Sequence, residues 1–139
     1  MTPTPGLRPA HRWWGLLGSS LESSTLQGFM MLCHSVFFRL KDRSPAAIAA
    51  LVAGCREHLS GHPGEVVFAV GTCSSYDRHV NDLDWQVALH IVFDSHAAHD
   101  AYQQAPRHEV FIAAHADAWE RVRVFDADLS ACDTGGTPG

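Results

Sequence analysis

Residues Leu32–Leu59 read LCHSVFFRLKDRSPAAIAALVAGCREHL, and the change of period inside this stretch decides the fold. From Leu32 to Leu40 the pattern alternates, as in a strand with one buried face. One parity carries Leu32, His34, Val36, Phe38 and Leu40, and the other carries Cys33, Ser35, Phe37 and Arg39. A turn through Lys41–Arg43 follows, after which Ser44 and Pro45 read as N-cap and first helical position. Ile48, Leu51, Val52, Cys55 and Leu59 then recur at helical spacing, until Gly61 and Pro63-Gly64 stop the helix.

Working outward, Glu65–Cys73 (EVVFAVGTC) reads as a second strand, apolar on both parities, and polar residues from Ser74 to Asp84 as a loop. Trp85–Phe93 is a third strand, with Trp85, Val87, Leu89, Ile91 and Phe93 on one face. Asp94-Ser95 supplies the next cap, and Ala97, Ala98, Ala101, Tyr102 and Ala105 form a small-residue helical stripe. Pro106 breaks that helix, and a second piece follows with Val110, Phe111, Ala114 and Ala118 expected inward. Trp119–Asp128 closes the pattern as a strand carrying Val122, Val124 and Phe125. Right-handed crossovers of this order predict an α+β, ferredoxin-like β-α-β-β-α-β domain, a four-stranded antiparallel sheet with its helices on one face. The other face would carry Phe37, Ala88, Val92 and the second parity of Val66–Val70. A solvated face should be more polar. Pairing of two copies through it is the expected solution, so the chain is expected to be a homodimer.

With 139 residues, 46% of them apolar, the chain predicts one globular domain over residues 31–128. Residues 1–30, rich in Pro, Gly, Ser and Thr, read as a flexible extension, with Met30-Met31 a candidate biological start; residues 129–139 read as a disordered tail. Trp13, Trp14, Leu16 and Leu17 are cut by Gly15 and Gly18, too short a run for a signal peptide. A net charge of −5 with scattered basic residues speaks against nucleic-acid binding, and the apolar runs are too short for a membrane span. Cys33, Cys55, Cys73 and Cys132 form no CxxC pair, so buried thiols and a cytoplasmic setting are expected.

Several segments together are similar to the Dabb family, the stress-responsive A/B barrel domain. They are His34-Ser-Val-Phe-Phe-Arg-Leu-Lys-Asp42, Phe93-Asp94-Ser95, Asp100-Ala-Tyr-Gln-Gln-Ala-Pro-Arg-His108 and Trp119-Glu-Arg-Val-Arg-Val-Phe-Asp126. The resemblance covers nearly all of residues 31–128 and implies a homodimer whose two sheets make an α+β barrel. One branch of the family, the olivetolic acid cyclase type, closes a linear polyketide without a cofactor. Its catalytic histidine lies two after a proline, and its tyrosine six before that histidine. These match His108 and Tyr102, and a further histidine on its first strand matches His34; its histidine directly before the proline is Ala105 here.

Ring closure of this kind needs a base beside a carbonyl and a donor for the developing oxyanion. His108 suits the first task, Tyr102 the second, and His34 an orienting role; Val36, Phe38, Leu89, Ile91 and Phe111 would line the apolar cavity between sheet and helices. The same residues also read as structural: His108 capping the break after Pro106, Tyr102 as a core ring, His34 as an interior histidine with a backbone partner. The pairs His58/His62 and His96/His99, with Asp100 and His115 nearby, lack a third ligand in the sequence and read as solvated surface residues. No metal or other cofactor is expected. Two functions remain open: a homodimer that binds a small apolar or aromatic molecule, and a cofactor-independent cyclase or isomerase.

Overall fold

A computed structural model describes residues 30–130. The extension over residues 1–29 and the tail over residues 131–139 lie outside the described residues. The chain runs β1 (Met30–Leu40), α1 (Pro45–Leu59), β2 (Glu65–Thr72), β3 (Val87–Phe93), α2 (His96–Gln104), α3 (Pro106–His115), a 3-10 turn (Ala116–Ala118) and β4 (Trp119–Ser130). The four strands form one antiparallel sheet in the order β2-β3-β1-β4, the ferredoxin-like α+β arrangement.

Alternation in β1 sorts its side chains as expected: Leu32, His34, Val36, Phe38 and Leu40 are buried, and the residues between them are half-buried. Being central, β1 pairs with β3 on one side and β4 on the other, which places Val36 opposite both Leu89 and Val124. Ser44 caps α1 by accepting from the Ala47 amide at 3.2 Å. The helix packs Leu51, Cys55 and Leu59 into the core, with Ile48 and Val52 at its margin. Gly64, at φ +86°, ends the connection to β2, where a Cβ would lie 2.4 Å from that of Ala98. Only glycine combines that backbone conformation with that approach.

The strands differ from expectation at their ends. β4 extends to Ser130 because Met30 and Met31 pair with Ser130 and Leu129, so these last two residues are strand rather than tail. Trp85 and Gln86 precede β3 rather than belong to it. The Gln86 amide donates to the Phe38 carbonyl, and its side-chain oxygen accepts from the Leu40 amide.

The inward faces of α2 and α3 differ more. Ala97 and Ala101 are exposed, whereas Tyr102 is buried as expected, Ala98 packs at the margin of the core, and His99 is buried beside them. Val110 is 52% exposed, Ala114 and Ala118 are also exposed, and α3 turns His108, Phe111, Ile112 and His115 toward the rest of the domain. Those four stand at i, i+3, i+4 and i+7, a helical stripe with a histidine at each end. Counting histidine as polar hides this stripe, because an imidazole buries its ring face while its nitrogens keep their partners.

Candidate functional site

The inner face of the sheet is apolar except at one corner. There His34 of β1 stands directly opposite Asp126 of β4, and its Nδ1–H donates to the Asp126 carboxylate at 2.6 Å. His34 is 5% exposed, whereas Asp126 reaches solvent because the helices leave the inner face of edge strand β4 partly uncovered. Val124, on the same parity, is accordingly 49% exposed.

Helix α2 closes over this pair. Its N-cap, Ser95, accepts from the Ala98 amide at 3.1 Å and so sets the orientation of the first turn. His99 follows, 1% exposed, with its ring 5.0 Å from that of His34 and the Gln103 side-chain amide 3.1 Å from its Nε2. One turn on, Tyr102 is 2% exposed and is surrounded by aromatic rings. His108 lies 4.9 Å from it, His62 5.1 Å, Phe93 5.1 Å and His34 5.7 Å, centroid to centroid. Pro106 makes this possible: the break after Gln104 lets α3 turn back and bring His108 against Tyr102.

Of the residues expected at the site, His34, Tyr102 and His108 therefore do meet. Val36, Phe38, Leu89, Ile91 and Phe111, expected to line a cavity, belong to the packed core, none more than 5% exposed. Phe38, Phe111 and Trp119 fill that space, with ring centroids 5.0 to 6.3 Å apart.

Three further members went unassigned from sequence. Asp126 has the inward parity of Val122 and Val124, an unusual place for a carboxylate and the one signal that marked it. His62 and His99, expected on the surface, are 7% and 1% exposed. His62 reaches inward because its Nε2–H donates to the His58 carbonyl at 2.8 Å while its ring packs edge-on against Tyr102. His58 and His96, their sequence partners, stay partly exposed, and His96 pairs with Asp128 at 2.6 Å on the rim.

Burial sets the protonation of this cluster. It holds His108 down to about 4, with the charges of His34 and His62 acting in the same direction. His99 is likewise brought to about 4 by burial and then by His34, against the opposing pull of Asp126. Both rings are neutral at physiological pH. Burial, helped by Cys55, Glu65 and Asp126, pushes the Tyr102 hydroxyl upward, so it remains a phenol. Burial also raises Asp126, but the His34 hydrogen bond and the charges of His34 and His99 outweigh it and leave the carboxyl below its ordinary value. The result is one carboxylate at the solvent edge, the neutral imidazoles of His99 and His108 behind it and a phenol at the centre.

The opposite sheet face carries a hollow of about 330 Å³ floored by Phe37, Trp85 and Phe125. Arg121, Arg123, Asp82 and Asp84 ring it, and Arg39 bridges Asp84 and Glu120 beside it. Among the described residues, no helix is long and apolar enough to cross a membrane.

The family described as the stress responsive A/B barrel domain, Dabb, matches residues 32–129. A Dabb family protein with a ferredoxin-like fold from Mesorhizobium loti is 20% identical, with a TM-score of 0.62 over 73% of this chain and 99% of that one. A dimeric ferredoxin-like protein of unknown function from Thermobifida fusca is 20% identical, with a TM-score of 0.60 over 72% and 92%. The hydroxynitrile lyase from Passiflora edulis is 21% identical, with a TM-score of 0.60 over 73% and 95%. Among curated proteins, none matches the sequence.

Proposed function

The chain belongs to the stress-responsive A/B barrel (Dabb) domain family, and on that premise we propose that it is a homodimer in which each subunit binds a small, partly apolar organic molecule at the His34–Tyr102–His108 corner. The observation that carries this reading is the convergence of four histidines and one carboxylate on a buried tyrosine, beside a strand edge left open to solvent. Several neutral polar groups set in an apolar wall are the usual make-up of a small-molecule site. With the core behind it filled, the ligand would enter along β4 and meet Asp126 and His34 first. Three free thiols among the described residues fit a reducing compartment such as the cytoplasm.

Dimerisation is supported by the outer sheet face. Phe125 is 48% exposed and Val67 49%, and the hollow at Phe125 carries both charges at its rim. A two-fold axis through such a patch sets aromatic against aromatic and the arginines of one copy near the aspartates of the other. Solved structures of similar fold are described as dimeric.

A second reading, a cofactor-independent lyase, cyclase or isomerase, is favoured by the His34–Asp126 pair. A carboxylate that accepts from Nδ1–H leaves Nε2 of the same ring as a proton acceptor and steadies the imidazolium that forms. His34 is then at least as well placed to act as base as His108, and Tyr102 supplies the donor for a developing oxyanion. One protein of similar fold is a lyase by name.

Native mass spectrometry of the full chain, with a denatured run beside it, tests the binding reading. A dimer carrying extra organic mass that is lost on denaturation is expected, and that mass should fall away in His34→Ala and His108→Ala. A chain that stays empty when offered aromatic and polyketide-like compounds would remove the reading. If a turned-over compound is found, His34→Ala abolishing turnover while His108→Ala merely lowers it would identify the base.

A further inference from the structure

We propose that His34, His99 and Asp126 hold a single divalent transition-metal ion, with zinc the best match to the donor set. One imidazole nitrogen from each histidine and one carboxylate oxygen lie within 4.8 Å of one another. An ion with ligand bonds of about 2.0–2.2 Å draws its donors to within roughly 3.5 Å of each other, so a small inward movement of these side chains closes the site. The inference rests on reading this corner as the functional site, and it adds an ion to it.

The three donors are held by three different elements. His34 and Asp126 face each other across the β1–β4 pairing, and Ser95 fixes the turn of α2 that carries His99. The two histidines are buried, so they are screened from competing water and held in place by packing. Gln103 provides an outer contact: its side-chain amide nitrogen lies 3.1 Å from His99 Nε2 and holds the ring in place. Entry of the ion between His34 Nδ1 and the Asp126 carboxylate displaces the hydrogen they share, and the ring changes tautomer to carry its proton on Nε2.

Two histidines and one carboxylate leave at least one coordination position open, the pattern of reactive rather than purely structural metal sites. The rim pair His96–Asp128, between α2 and β4, serves as an internal control.

The test is a zinc titration of the tag-free full chain followed by calorimetry and by thermal unfolding. One ion per chain at micromolar affinity or tighter is expected, with a raised Tm. His99→Gln should weaken binding by more than the roughly 10–100-fold typical of a lost outer-shell partner, and His96→Gln should leave it unchanged. Copper(II) spin resonance of the wild-type chain, which requires no variant to fold, should show two coordinated imidazole nitrogens and no third. No zinc binding, equal binding by His99→Gln, or a spectrum with one coordinated nitrogen overturns the inference. The readout involves no organic ligand, so an ion that fails to bind to a dimer carrying organic mass removes the metal and leaves the binding reading intact.

Discussion

At the scale of single residues, the domain depends on side chains whose polarity and position disagree. His108 stands in the first turn of α3 with His34, His62 and Tyr102 facing it, and burial keeps it neutral down to about pH 4. In the unfolded chain its pKa returns to about 6.5. Between those values the unfolded state binds the additional proton, so the stability this group contributes is complete above about 6.5 and is lost as the pH falls toward 4. The loss is about 2 kcal/mol at most, once water reaching its half-buried ring is allowed for. Urea unfolding between neutral pH and about pH 4.5 should show it, and His108→Gln should flatten that slope. An unchanged slope would mean that water reaches the ring freely.

Gly54 is the matching case in packing. A Cβ there would lie 2.2 Å from His115 Nε2, so α1 and α3 approach as closely as they do because Gly54 has no side chain. Gly54→Ala should cost about 1–3 kcal/mol, with the His115 ring driven off its contact with Phe111. A melting temperature equal to that of the wild type would show that the ring simply swings away.

At the scale of elements, the two capped helices separate stability from function. Ser44 caps α1 and Ser95 caps α2, each accepting one amide hydrogen, and loss of either should cost about 1 kcal/mol. Only α2 carries site residues, His99 and Tyr102. Ser95→Ala should therefore weaken ligand or zinc binding, whereas Ser44→Ala should lower denaturation midpoints and leave binding alone. Equal effects of the two on binding would contradict the assignment of the site to α2. The elements also show where sequence reading stops. The strand–helix–strand order was legible, because alternation and helical spacing in β1, α1 and β3 come from large aliphatic and aromatic side chains. The inward faces of α2 and α3 were legible only in part: Tyr102 and Phe111 turn inward as expected, but histidine rings occupy other inward positions that an apolar count assigns to alanine or valine.

At the scale of the whole molecule, the sheet has two faces with different tasks. Its inner face packs the core and ends in the polar corner; its outer face exposes Phe125 among charges of both signs. Phe125→Asp, on a half-exposed position, should weaken the proposed dimer by at least about 2 kcal/mol, roughly thirtyfold in Kd. Sedimentation at several concentrations measures this. A variant that dimerises like the wild type would move the interface elsewhere.

Sequence alone determined the order of elements and the antiparallel sheet, because each follows from local periodicity and from the short list of allowed connections. It also brought His34, Tyr102 and His108 to notice, through the resemblance to the Dabb family. That Asp126 faces His34, and that His62 and His99 turn inward to Tyr102, was decided by tertiary structure alone. Those contacts join residues up to 92 positions apart, and they depend on strand register and helix rotation, which no local pattern encodes. The core is filled where a cavity was expected for a similar reason: the fit of Phe38, Phe111 and Trp119 against one another is a property of their packing in three dimensions.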